Sequence, residues 1–301
     1  MNIQHLRTFV SVVDAGSFSQ AARQLGLSQP AVSMQVQALE SDIGVPLLDR
    51  RHRQVDLTEA GKTLLPHARE MLAQAAYARA EIEGLSGEIT GTLRLALSTT
   101  PGDYIIPRLL GAFVRQYPHV HLNLMVDSSS EVADEVEEGR ADLGMVGARI
   151  RGAKVHFEEL GYDELVAICH PSNPLAARKD VGVVELAAEP WVARRDDSGT
   201  QSVLKAILAD HGIAIESLNA VVQLGTGEAV VNAVEGGLGV SVVSRYVADN
   251  ALTAGHVAAV AAQGFPFRRP FFLITPKRSL SRAAVAFADY LRVEVPADAS
   301  R

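Results

Sequence analysis

Ser28-Gln29-Pro30-Ala31-Val32-Ser33-Met34-Gln35-Val36-Gln37-Ala38-Leu39-Glu40 has the pattern of one amphipathic helix. Val32, Val36, Leu39 and Ile43 recur at steps of four, three and four, which sets them on a single apolar stripe. Pro30, Ser33, Met34 and Gln37 stand on the opposite side. The Ser28 hydroxyl can cap the first turn, where Pro30 is tolerated because amides there have no intrahelical acceptor. The outer face is short, amide-bearing and nearly uncharged. That composition suits either an ordinary solvated helix or one that offers hydrogen bonds to base edges in a DNA groove. The flanking segments decide between the two.

Upstream, Ile3, Leu6, Phe9, Val10 and Val13 form a helical stripe that ends at Gly16. Ser17 and Gln20 stand in capping-box spacing at the head of a short helix carrying Ala21, Ala22 and Leu25, and Gly26 ends it. The link Gly26-Leu27 is so tight that the second and third helices must meet at a sharp angle, a helix-turn-helix. Downstream, Gly44-Val45-Pro46 stops the third helix. Leu47-Leu48-Asp49-Arg50 then faces Val55-Asp56-Leu57 across the turn Arg51-His52-Arg53-Gln54, a small hairpin or wing. Arginines at its tip, Arg50, Arg51 and Arg53, can reach the negative minor groove beside a helix lying in the major groove.

Thr58 caps a long helical run in which Leu64, Ala68, Met71, Ala75, Ala78, Ile82 and Leu85 alternate at steps of four and three, a heptad seam. So narrow a stripe cannot bury itself alone and argues for a partner helix, the alternative being a helix packed on the protein's own body. At ~1.5 Å per residue the run from Thr58 to Gly87 extends about 45 Å. Two copies paired along it would present two recognition helices to two half-sites of DNA.

Gly87 and Gly91 mark a boundary, beyond which strands alternate with helices. Leu93, Leu95 and Leu97 alternate, as do Val120, Leu122, Leu124 and Val126, and Leu143 to Gly147 reads as a buried strand. Helices fall around Leu109 to Phe113 and Val132 to Val136, completing a parallel βαβαβ unit. The pattern returns with strands at 165–169, 191–192, 221–224 and 240–243 and helices near 203–208 and 229–234. A last strand at 271–274 and a last helix at 283–291 can rejoin the first unit. Two α/β lobes with a cleft between them are the expected outcome.

The length of 301 residues exceeds one typical domain, and 48% hydrophobic with 21% charged residues fits a soluble globular protein. Net charge is −7, so nucleic-acid binding must come from local clusters rather than bulk charge. Residues 1–65 balance six basic against six acidic side chains, and the acidic excess lies downstream. A single cysteine, Cys169, excludes an internal disulfide framework and any multi-cysteine metal site, and fits a reducing compartment. Met1-Asn2-Ile3-Gln4-His5 lacks the basic start and apolar run of a secretory signal, and no apolar stretch is long enough for a membrane span. The expected location is the cytoplasm, with no membrane association.

Chemistry-bearing residues gather at loops before helices. Ser98-Thr99-Thr100 follows the first strand of the first lobe, and Ser198-Gly199-Thr200 precedes a helix of the second. Hydroxyls and free amides at a helix N-terminus suit a carboxylate, sulfate or phosphate, and they equally suit a plain N-cap. Gly225-Thr226-Gly227 offers a third such place, too short for a phosphate loop. Catalytic patterns are missing: there is no G-x-S-x-G, no H-E-x-x-H and no cysteine pair. No metal, cofactor or enzymatic activity is expected.

The order of parts resembles the LysR-type transcriptional regulators almost end to end. Phe9, Ala15-Gly16-Ser17-Phe18-Ser19-Gln20-Ala21-Ala22, Leu25, Ser28-Gln29-Pro30-Ala31-Val32-Ser33, Leu39-Glu40, Gly44-Val45-Pro46-Leu47 and Leu57-Thr58-Glu59-Ala60-Gly61 are similar to that family's DNA-binding signature. The resemblance implies a winged helix-turn-helix, a dimerising linker helix and a two-lobed α/β effector domain resembling periplasmic binding proteins. It also implies Gln29, Pro30, Ser33 and Gln37, with Met34 between them, toward the major groove, and Arg51 or Arg53 in the minor groove. Many relatives are basic where Met34 and Gln37 stand. Ser98, Thr99, Thr100, Gly147, Ser198, Gly199, Thr200 and Thr226 match places where relatives hold small anionic effectors. Gln201 stands where relatives often have arginine. The segments Ser198-Gly199-Thr200, Gly225 to Val230 and Gly236 to Gly239 are similar to the branch regulating sulfur assimilation and carbon fixation.

The expectation is therefore a DNA-binding regulator with its DNA-binding domain at 1–58, a linker helix at 59–88 and an effector domain at 89–301, with lobe I at about 91–162 and 268–301 and lobe II at about 163–267. Its expected partners are double-stranded operator DNA, a small carboxylate, sulfate or phosphate effector, and further copies of itself as a dimer or tetramer, with RNA polymerase as another partner the resemblance allows. The competing expectations are a solute-binding protein and an enzyme using the cleft.

Overall fold

Glycines and capping hydroxyls cut the first part of the chain into short helices. The computed structural model describes residues 1–49, 55–83 and 88–295. Helices α1 (Ile3–Ala15), α2 (Phe18–Leu25) and α3 (Gln29–Ile43) end on Gly16, Gly26 and Gly44, whose φ angles of 61°, 66° and 87° are left-handed. Only glycine takes that conformation without a Cβ penalty. The Ser17 hydroxyl accepts from the Gln20 amide at 3.4 Å and the Ser28 hydroxyl from the Ala31 amide at 3.3 Å. Leu6, Phe9, Val12, Val32, Val36 and Leu39 are fully buried between these helices. Burial of each such side chain stabilises by about 1.5–3 kcal/mol. Ile43, expected on the buried stripe, is instead 37% exposed, because it is the last helical residue before the chain turns at Gly44.

A wing follows. Strand β1 (Leu48–Asp49) pairs antiparallel with β2 (Asp56–Leu57), Leu48 opposite Leu57. The Glu40 carboxylate accepts from the Leu47 and Leu48 amides at 2.9 and 3.2 Å, tying the end of α3 to the base of the wing. The expected basic tip, Arg50, Arg51 and Arg53, lies outside the described residues. A Cβ placed on Gly61 would fall 2.1 Å from the Leu47 carbonyl oxygen and 2.9 Å from Leu57 Cδ2. The Gly61→Ala substitution is therefore expected to destabilise this unit by roughly 3 kcal/mol, the upper part of the usual overpacking range. The midpoint of its urea transition measures this, and a shift below about 0.5 kcal/mol would refute the clash.

Helix α4 (Glu59–Glu83) carries the heptad seam, and the structure corrects its reading. Leu64, Ala68 and Met71 pack into the winged-helix core, Ala68 with no exposure at all. Their burial is satisfied within the chain because α4 lies against α1. Ala75 is half-buried, while Ala78 is exposed and Ile82 is 69% exposed. Only this second half is open to a partner helix; Leu85 and Gly87 lie outside the described residues.

Residues 1–88 form one compact unit and the bulk of 89–301 a second. In the second, β3 (Gly91–Ser98) pairs in parallel with β4 (Val120–Asp127) and with β5 (Leu143–Val146). Helices α5 (Ile106–Gln116) and α6 (Ser129–Glu137) make the crossovers. The helix expected after Ser98-Thr99-Thr100 opens with one π turn at Pro101–Ile105 before α5. Strand β6 (Val155–Cys169) is much longer than the expected 165–169. The chain then runs through α7 (Val183–Ala187), β7 (Pro190–Arg194), α8 (Gly199–Asp210), β8 (Asn219–Leu224), α9 (Gly227–Glu235), β9 (Ser241–Ser244), α10 (Arg245–Thr253), β10 (Ala258–Ala259), β11 (Phe267–Pro276) and α11 (Arg282–Glu294).

The length of β6 has a topological reason. Its first part pairs antiparallel with β11, which also joins β5 of lobe I, while its last residues pair with β9 and β10 of lobe II. Strands β6 and β11 thus carry the chain between the lobes. The parallel pattern expected for lobe II holds for β7 with β8 and, through the parallel bridge of Trp191 to Val240, for the approach to β9; β6 is the strand that runs opposite, antiparallel to β9 and β10. Lobe I packs Phe113 edge-on against Phe287 at 4.8 Å between centroids. Lobe II buries Trp191, whose indole N–H donates to the Leu186 carbonyl at 3.2 Å. Among the described residues no helix is long and apolar enough to cross a membrane.

Candidate functional site

Two surfaces hold the residues singled out in the sequence. On α3, Gln29, Pro30, Met34 and Gln37 are exposed, Met34 at 69%, and Ser33 is half-buried. The Ser19 hydroxyl donates to Gln29 Oε1 at 3.0 Å, so α2 orients the first of these side chains. Gln35 on the inner side accepts from the Thr8 hydroxyl and belongs to the scaffold. The helix therefore presents an exposed amide and thioether face, fixed at its start by Ser28 and at its end by Glu40.

The second surface lies at the carboxyl ends of parallel strands, where open α/β sheets place their ligand sites. Ser98 ends β3, Gly147 follows β5, Ser198 precedes and Gly199-Thr200 open α8 after β7, and Thr226 follows β8. All eight predicted positions line two adjoining cavities of the cleft. Ser98, Thr99, Thr100, Gly147, Ser198, Gly199 and Thr200 line the first. Thr226 lines the second, which shares Thr99, Thr100 and Thr200 with the first. The second measures about 80 Å³. At ~10–15 Å³ per water, that is room for several waters or one small group.

The hydroxyls do different jobs from those their spacing suggests. The Ser198 side chain makes no cap bond; its Oγ accepts from Arg194 Nε at 3.4 Å. Thr100 also makes no cap bond. Thr226 does cap α9, accepting from the Ala229 amide at 3.2 Å, so its hydroxyl is less available to a ligand.

Two arginines dominate the cleft, and sequence reasoning missed both. Arg269 is 3% exposed and donates through Nε and Nη2 to Asp163 Oδ2 at 3.0 and 2.7 Å and through Nη2 to Thr200 Oγ1 at 3.3 Å. Gly147 is its seat: a Cβ there would stand 3.1 Å from the guanidinium carbon. Arg194 is 7% exposed and stands at the end of β7. The buried Nη1 atoms of both arginines have no hydrogen-bond partner. Burial, then the positive charges of Arg195 and Arg269, hold the Arg194 guanidinium below its ordinary pKa. An arginine after an apolar strand reads as a solvent-facing residue, which hid Arg194; its position four residues before Ser198 was the available signal. At the rim, Arg195 lies 3.8 Å from Asp127 and 3.1 Å from Asp197.

Two buried cations, free hydroxyls and the start of α8 converge here, which is an anion-attracting arrangement. Among the described residues no group of three or more His, Cys, Asp or Glu side chains could hold a metal ion. Cys169 is buried in lobe II, and burial, with a smaller contribution from Glu189, pushes its thiol up to about 11. Reactivity needs the thiolate. Peroxide treatment of the folded protein is accordingly expected to leave Cys169 unmodified by intact mass; rapid sulfenate formation would contradict the burial.

Comparison with known proteins bears on both surfaces. Residues 3–62 match the bacterial regulatory helix-turn-helix protein, lysR family, and residues 86–295 match the LysR substrate binding domain. The RuBisCO operon transcriptional regulator of Allochromatium vinosum is 33% identical, over 98% of this chain and 96% of that regulator. Among solved structures, the regulatory domain of Synechocystis CcmR in complex with 2-PG superposes with a TM-score of 0.64 at 26% identity, over 68% of this chain and 98% of that one. Full-length CbnR complexed with its target DNA superposes with a TM-score of 0.65 at 24% identity, over 98% of this chain and 100% of that one, a likeness of fold.

Proposed function

Because this chain belongs to the LysR family of bacterial helix-turn-helix transcriptional regulators, we propose that its control of transcription answers to a small anion held between the lobes of its second unit. It is a DNA-binding regulator and not an enzyme. One observation carries the anion reading: Arg194 and Arg269 are buried in the cleft with an unpartnered Nη1 each. A buried donor on a charged group without a partner is costly, and an anionic ligand removes that cost. Carboxylate, sulfate and phosphate all meet the requirement. The 2-PG in the CcmR regulatory domain is in keeping with an effector of this class.

In this reading residues 1–58 bind the operator, 59–88 link and pair two copies, and 89–301 sense the effector. Gln29, Pro30, Ser33, Met34 and Gln37 face the major groove, and Arg50, Arg51 and Arg53 the minor groove. With few base-reading donors on α3, much of the specificity comes from DNA shape. The exposed second half of α4 carries the dimer, dimers pair into tetramers, and the assembly works on cytoplasmic DNA in reach of RNA polymerase. Ligand binding changes the angle between lobes and so the spacing of the DNA-binding pairs.

The test has two arms. Footprinting on DNA upstream of this gene is expected to show a protected, partly palindromic site at moderate salt; no protection would sink the operator assignment. Thermal shifts across carboxylates, sulfate and sugar phosphates are expected to reveal a stabiliser whose effect is lost in Thr100→Val or Thr200→Val. If neither substitution matters, the cleft is not the sensor.

A further inference from the structure

We infer that the cleft takes a bipolar effector: an anion that also carries a hydrogen-bond donor, in its strongest form a protonated amine. This rests on the anion reading above and supplies the other half of the ligand. The two adjoining cavities share Thr99, Thr100, Arg194 and Thr200. Their remaining walls differ in charge. Arg195 and Arg269 join Arg194 on one side, where Asp127 also lines the wall with Arg195 3.8 Å away. Asp103, Glu228 and the Tyr104 phenol join it on the other. Arg194 stands at the divide, 7% exposed, with its buried Nη1 unpartnered.

On the acidic side Arg194 is the cation that the lining residues supply, against two carboxylates. Among the described residues neither Asp103 nor Glu228 has a hydrogen bond or an ion pair within contact distance. Burial, then the negative charge of Glu228, raises the Asp103 carboxyl above the ordinary carboxylate range, against the pull of Arg194. Burial, Glu228 and Asp103 raise the Tyr104 phenol in the same way. Two carboxylates that repel each other form a well for a positive charge or a strong donor. A bare anion against Arg194 and Arg269 leaves that well unfilled. A ligand with an ammonium or hydroxyl a few bonds from its anionic group fills both ends, and Val243 and Val247 on the acidic side give its short carbon link an apolar contact.

Three sulfonates of nearly one shape test this on the full chain by calorimetric titration: ethanesulfonate, 2-hydroxyethanesulfonate and the zwitterion 2-aminoethanesulfonate, with inorganic sulfate alongside. Affinity is expected to rise in that order, about tenfold from first to last, ~1.4 kcal/mol. The double variant Asp103→Asn, Glu228→Gln replaces two exposed carboxylates isosterically and is expected to bring the three within about twofold, with ethanesulfonate bound as well as before or better. Equal affinities, a reversed order, or a ranking that survives in the double variant overturns the inference. Binding of sulfate and ethanesulfonate with none of the amino compound also overturns it while leaving the anion reading intact. If none of the four binds, the anion reading itself fails and takes this inference with it.

Discussion

Replacing Asp163 by alanine is expected to cost about 3–5 kcal/mol, the range for stranding one member of a buried ion pair. The Asp163 and Arg269 side chains are 0% and 4% exposed, and Asp163 Oδ2 takes two donors from one guanidinium at 3.0 and 2.7 Å. Asp163 Oδ1 takes a third, from the Ser244 hydroxyl at 2.6 Å. The pair sits directly opposite in the ladder of β6 and β11, the two strands that join the lobes. Alanine leaves Arg269 buried and uncompensated, and leaves Ser244 without its acceptor. In a unit of this size ~1 kcal/mol corresponds to roughly 2–4 °C, so a loss near 10 °C or more is expected in the melting temperature. The double variant Asp163→Ala, Arg269→Met removes both charges and is expected to recover most of the loss, since a fully apolar replacement of a buried pair is often neutral. A single-variant cost under about 1 kcal/mol would show that the pair does not hold the lobes together.

Arg194→Met is expected to act in the opposite direction on stability. Without a ligand, the buried guanidinium carries an unpartnered Nη1 and lies near two other arginines. Methionine fills a similar volume with no charge to desolvate, so the ligand-free protein should gain about 1–3 kcal/mol. The same substitution is expected to abolish stabilisation by an anion. A ligand at a hundred times its Kd adds ~2.7 kcal/mol in the wild-type protein and close to nothing in the variant. Thermal melts of both proteins with and without sulfate or a carboxylate give the four numbers required. A variant that is less stable than wild type, or that still responds to the anion, would remove Arg194 from the sensing role. A residue kept at a cost in stability is what a ligand site is expected to contain.

The same contrast between local and distant causes explains how legible the chain was. In the first 49 residues, stripes at helical spacing, hydroxyl caps at Ser17 and Ser28, and glycines 16, 26 and 44 lie within a few positions of the turns they control. Helix α4 was misread in part, because a heptad stripe records only that a face needs covering. Its first half is covered by the chain's own α1, whereas Ile82 stays open. In the second unit the loops with Ser98 to Thr100 and Ser198 to Thr200 were visible as hydroxyls between a strand and a helix. The purpose of Ser198 was not, since its partner Arg194, only four residues away, reads as a solvent-facing strand end until its burial is seen.

The sequence by itself determined the helix-turn-helix, the alternation of strands and helices that makes an α/β effector unit, and the placing of hydroxyl-bearing loops at strand ends. Each depends on residues close together in the chain, where backbone stereochemistry and periodicity act. Only the tertiary structure decided which charges enter the cleft. Arg269 meets Asp163 across 106 positions and Thr200 across 69. The first pairing follows from the register of β6 against β11 and the second from where α8 begins beside it, and no local spacing encodes a register between strands so far apart.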